Sequence, residues 1–112
     1  MFVTPEYNRG IPAALKNAID YLFAEWSHTA AGFVGYGAAG GARAIEQLRL
    51  VPGELHVADE RCQVLLSLFT GCEACTTFTP AQVRETTLDR VISEVIAWGS
   101  ALKSLRAAGE VR

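Results

Sequence analysis

The stretch that most restricts how this chain can fold is its first 23 residues. A short apolar run, Met1-Phe2-Val3, gives way to Thr4-Pro5-Glu6-Tyr7-Asn8-Arg9-Gly10, and Ile11-Pro12 then lead into a run that ends at Phe23. Pro12 marks a helix start, because a residue in the first turn has no intrahelical use for its N–H. Leu15, Ile19, Leu22 and Phe23 recur at helical spacing, with Lys16 and Asp20 on the opposite side. Strand, loop and helix in immediate succession put residues 5–10 at the carboxyl end of a strand. In open α/β sheets that edge is where ligands bind.

The rest of the chain keeps the same alternation. The first helix is expected to end near Trp26, where Ser27-His28-Thr29 supply turn residues. Residues 30–35 are a small, apolar run suited to a strand covered on both faces. Gly37-Ala38-Ala39-Gly40-Gly41 interrupts it, and a second helix follows with Ala44, Ile45, Leu48 and Val51 on one face until Pro52-Gly53 stops or kinks it. Residues 62–69 read as a third strand and residues 70–80 as a loop. Leu88, Val91, Ile92, Val95, Trp98, Leu102 and Leu105 recur at three- and four-residue steps, which predicts one long amphipathic helix closed by Ala107-Ala108-Gly109. The order β-α-β-α-β-α, with no repeat or linker, predicts a single α/β domain over residues 1–112. Its expected architecture is three layers, a short parallel sheet with helices on both faces.

Composition narrows the classes of function. With 112 residues, half of them hydrophobic and a fifth charged, the chain suits a packed globular domain. A net charge of −2 offers no basic footprint for nucleic acid. No apolar run approaches the about 18 residues needed to span a bilayer, so no membrane partner is expected. Three cysteines, an odd number, argue for free thiols in a reducing cytoplasm.

Two segments carry a resemblance. TPEYNRGIPAALKNAIDYL, from Thr4 to Leu22, and GFVGYGAAGGARAIEQLR, from Gly32 to Arg49, resemble the NAD(P)H-dependent FMN reductases of the flavodoxin-like superfamily. The resemblance implies a five-stranded fold of strand order 2-1-3-4-5, of which this chain is similar to the last three βα units. The family's first two units, with the Gly-Ser-Arg loop that holds the FMN phosphate, are expected to be absent, and the chain alone is expected to bind FMN weakly or not at all.

The same resemblance implies hydride transfer from NAD(P)H through FMN to an acceptor, with free flavin, a quinone, an azo compound and a metal ion as the alternatives. Pro5, Glu6, Tyr7 and Asn8 would contact the flavin edge and ribityl chain, largely through backbone groups. Gly35, Tyr36, Gly37, Gly40 and Gly41 would form the second loop, with Gly35 where the family usually has serine. A tight turn shaped by Asn8 and Gly10 is the alternative for the first loop. A glycine cluster that binds any anion is the alternative for the second. Arg43 is either a solvated charge or a partner of the NAD(P)H phosphate.

Other readings stand beside the enzyme. Cys72 and Cys75 form a C-x-x-C, the pattern of a redox dithiol or half a zinc site, but no second pair exists and His56 is the one plausible fourth ligand. No metal site and no side-chain catalyst are expected. A non-catalytic fragment that self-associates, or completes a site with another chain, is the remaining alternative. In either case the bare edge of the first strand and the last helix predict a homodimer or a higher homo-oligomer.

Overall fold

The computed structural model describes residues 1–73 and 76–109. Its centre is a parallel three-stranded sheet of β1 (Phe2–Pro5), β2 (Ala30–Gly37) and β3 (Ala58–Ser67), in the order β1-β2-β3. β2 is central, and its inward side chains are small or apolar because both faces are covered. On one face, Phe33 and Ala31 pack with Ile19 of α1 (Ala13–Asp20) and with Ile45 and Leu48 of α2 (Ala42–Glu54). On the other, Val34 and Val64 pack against Val91 of α3 (Gln82–Ala101). The result is the expected flavodoxin-like partial fold, an α/β sheet with helices on both faces.

Element boundaries differ from the sequence reading for identifiable reasons. Pro12 is the N-cap of α1, not its first residue, and its carbonyl accepts from Leu15 and Lys16 N–H. The helix stops at Asp20 instead of running to Trp26. Trp26, in a 3₁₀ turn at Ala24–Trp26, folds back so that its indole N–H donates to Ile19 C=O at 3.0 Å and its ring lies 5.8 Å from Phe2. α2 runs through Pro52, which falls in the last turn, and ends at Glu54.

β3 begins four residues earlier than Cys62. Asp59 and the carbonyls of Glu60 and Arg61 are bound by the Arg49 guanidinium, which lets a charged stretch join the sheet. The segment expected to be all loop contains a small hairpin, β4 (Cys72–Glu73) with β5 (Thr77–Phe78). The last helix divides at Leu102 into α3 and α4 (Lys103–Ala107). Arg106 of α4 reaches back to the carbonyls of Gly99 and His28.

Leu88 and Val95 of α3 pack on the β2–β3 side. Val83, Ile92, Ile96 and Trp98 are the exposed large apolar residues of α3.

Candidate functional site

β1 and β2 end side by side. Pro5 pairs with Tyr36 in the parallel register, and Glu6 N–H extends the ladder to Tyr36 C=O at 3.0 Å. The chain then makes a two-residue turn. Tyr7 and Gly10 exchange both backbone hydrogen bonds, at 3.0 and 2.9 Å, around Asn8 and Arg9. Both turn residues are left-handed, with φ of 48° and 68°, the conformation of a type I′ turn. Tyr7 is 64% exposed and Asn8 is exposed, so the loop presents its side chains outward.

Glu6 does the opposite. Its side chain is only 5% exposed, and its carboxylate accepts from the Arg43 backbone N–H at 3.1 Å and from Arg43 Nε at 2.6 Å, with Arg43 Nη2 also in contact. A carboxylate at a helix N-terminus satisfies orphan N–H groups and opposes the helix dipole. Glu6 supplies this to α2 from a different loop, because the N-cap itself, Gly41, has no side chain. Those hydrogen bonds from Arg43, assisted by its charge, hold the Glu6 carboxyl below the ordinary carboxylate range. The two loops of the site are thereby tied together, and Arg43 is engaged.

The glycines of the second loop divide into two kinds. Gly35, Gly40 and Gly41 are buried. A Cβ on Gly35 would lie 2.9 Å from Gly40 C=O, and one on Gly41 would lie 2.6 Å from Tyr36 N, so side chains are excluded where the loop folds over β2. Gly40 and Gly41 also have φ of 68° and 76°. Gly37 is different: a Cβ would meet Glu6 Cβ only at 3.5 Å, but its φ of 149° disfavours any side chain. Gly37 C=O accepts from Gly40 and Leu68 N–H, and Ser67 Oγ donates to Ala38 C=O, so β3 braces the loop. Tyr36, Ala38 and Ala39 face outward. Ala38 and Ala39 N–H have no hydrogen-bond partner among the described residues.

Residues 1–71 match the family of NADPH-dependent FMN reductases. The chain belongs to that family. It is similar to the NAD(P)H-dependent FMN reductase LOT6 of Saccharomyces cerevisiae, 55% identical over 51 residues, or 46% of this chain and 27% of that protein. It is also similar to the NAD(P)H-dependent FMN reductase C4B3.06c of Schizosaccharomyces pombe, 49% identical over 55 residues, 49% of this chain and 28% of that protein. A third relative, the NAD(P)H-dependent FMN reductase ntnL of Nectria sp, is 50% identical over 48 residues, 43% of this chain and 24% of its own length. The chain thus spans about a quarter of the length of the curated relatives it matches.

The family uses FMN, with NAD(P)H as co-substrate. The residues here suit a flavin edge in three respects: exposed Tyr7 and Tyr36 at neighbouring strand ends, unpartnered Ala38 and Ala39 N–H groups, and a Gly37 without a side chain. The structure brings Pro5, Glu6, Tyr7, Asn8, Tyr36 and Gly37 to one edge and places Gly35, Gly40 and Gly41 beneath the second loop. Sequence reasoning missed the Glu6–Arg43 pairing. Its one signal was an acidic residue at a strand end and an arginine in the first turn of the next helix, 37 positions apart.

A groove of about 520 Å³ lies instead along Ala13, Lys16, Asn17 and Asp20 on the outer side of α1, away from both loops. Cys62 and Cys72 are free, half-buried thiols, and Cys75 lies outside the described residues. Among the described residues no three His, Cys, Asp or Glu side chains cluster in a way that could hold a metal, and no helix is long and apolar enough to cross a membrane.

Proposed function

We propose that this chain supplies the flavin-edge half of an NAD(P)H:FMN oxidoreductase site in the cytoplasm, with a small-molecule electron acceptor such as free flavin or a quinone. The observation that carries the reading is the junction of the two loops by Glu6 and Arg43 at the carboxyl ends of β1 and β2. FMN, when bound, takes a hydride from NAD(P)H and delivers electrons onward. The chain's own groups provide position. Ala38 and Ala39 N–H are donors suited to the flavin's polar edge. Tyr7 and Tyr36 offer aromatic surface beside it. Glu6, turned inward and paired, adds no free negative charge to the site.

The test is an FMN titration followed by flavin fluorescence and the visible spectrum, with NADPH then added without oxygen. A yellow complex that NADPH bleaches supports the reading. A folded chain that still binds no FMN when the units bearing the Gly-Ser-Arg loop are supplied as a second chain sinks it.

A second reading, a non-catalytic unit that acts by association, is favoured by the exposed Met1, Val3, Ile92, Ile96 and Trp98. The same titration separates the two, since this reading expects an oligomer without flavin colour.

A further inference from the structure

We propose that Arg9 is a binding residue for a phosphomonoester dianion, carried by the nicotinamide dinucleotide or by the flavin. The sources of that anion rest on the FMN oxidoreductase reading, but the case for the residue comes from its geometry. Arg9 is the second central residue of the Tyr7–Gly10 turn, with φ of 68°. In a type I′ turn that position favours glycine, because a Cβ there crowds the backbone. The turn is held by the paired Tyr7 and Gly10 backbones and by Gln47, whose Nε2 donates to Arg9 C=O at 3.0 Å. All of these bonds use backbone atoms of the turn, and none needs an arginine.

The Arg9 side chain is exposed and makes no hydrogen bond or ion pair among the described residues. A bulky residue is therefore kept in a strained conformation from which the fold gains nothing, a pattern that points outward to a ligand. The other cations at this end of the sheet are placed differently. Arg43 is bound by Glu6, and Arg84 lines a separate cavity of about 240 Å³ with Ser67, Thr70 and Pro80. An unpaired guanidinium on a fixed turn suits a phosphate, which it can bind through two parallel N–H groups.

The test compares two ligand pairs by calorimetry on the full chain and on Arg9→Gln: 2′,5′-ADP against 5′-AMP, and FMN against riboflavin. In the parent, the more highly phosphorylated member of one pair is expected to bind about tenfold more tightly, the scale of one charge-assisted contact. Arg9→Gln is expected to bring that ratio close to one. Collapse of the nucleotide ratio assigns the dinucleotide phosphate, and collapse of the flavin ratio assigns the FMN phosphate. A parent without preference in either pair, or a preference that survives in Arg9→Gln, overturns the proposal.

Arg9→Gly adds a check on the strain. Its melting temperature is expected to equal or exceed the parent's while the preference disappears. A phosphate preference that persists in Arg9→Gly would also overturn the proposal. Because the nucleotide pair needs no flavin, failure to bind FMN would count against the oxidoreductase reading alone.

Discussion

Glu6 joins local stability to the geometry of the site. Its carboxylate caps α2 and pairs with Arg43, so its removal should loosen the second loop rather than empty a ligand contact. Glu6→Gln is expected to speed backbone amide exchange over residues 36–41 and to lower the melting temperature by a few degrees, as loss of one charge-assisted cap does. The sign of the pH effect follows from the same bonds. Glu6 is held low by Arg43. A carboxyl whose pKa is lower when folded stabilises the fold above its unfolded pKa, and loses that contribution as pH falls through the folded value. The melting temperature should therefore hold from neutrality down to the ordinary carboxylate range and fall below it, less steeply in Glu6→Gln. Gly37→Val should abolish FMN binding while the far-ultraviolet circular dichroism stays unchanged; a parental Kd would place the flavin elsewhere. At this scale the position of Pro5, Glu6, Tyr7 and Asn8 at a strand end was legible from the strand–loop–helix pattern. The inward turn of Glu6 was not, since spacing along a chain does not tell which side chains meet across two loops.

Among the elements, α2 is joined to β3 by one charged residue in addition to its apolar face. Arg49, 16% exposed at its side chain, binds Asp59, Gln63 and two β3 carbonyls, and its guanidinium lies 4.7 Å from the centre of the Phe33 ring. Arg49→Ala removes these together and strands carbonyls near the sheet edge. It is expected to cost about 2–4 kcal/mol, seen as a drop on the order of 10 °C in melting temperature. A change within one or two degrees would show that β3 holds its register without α2. The same residue explains why β3 was only partly legible. Residues 62–67 announce themselves by apolar content, but Ala58-Asp59-Glu60-Arg61 looks like a loop until a distant arginine neutralises and binds it. Helix lengths were misread in the same way: periodicity registers an apolar face, but the fold-back of Trp26 onto Ile19 C=O decides where α1 stops.

For the whole molecule, the sheet leaves the outer edge of β1 unpaired by any described strand, with Met1 and Val3 exposed at that edge on the face that carries α3. Ile92, Ile96 and Trp98 add exposed apolar surface on α3. Burying side chains of this kind is worth about 1.5–3 kcal/mol each. Sedimentation at low micromolar concentration is expected to show a dimer or larger assembly joined through the β1 edge and α3, and a well-folded monomer would refute it. Fold class was the most legible feature of the chain, because apolar runs separated by helical periodicity leave few arrangements other than parallel strands with covered faces. The strand order carries a further, kinetic consequence. Since β1, β2 and β3 lie in the sheet as they lie in the chain, each strand pairs with the one made just before it. No β pairing skips an intervening strand, so each crossover closes only the loop and helix between neighbouring strands. The sheet can therefore grow in the direction of synthesis, with β1 and β2 already joined over α1 while β3 is still being translated.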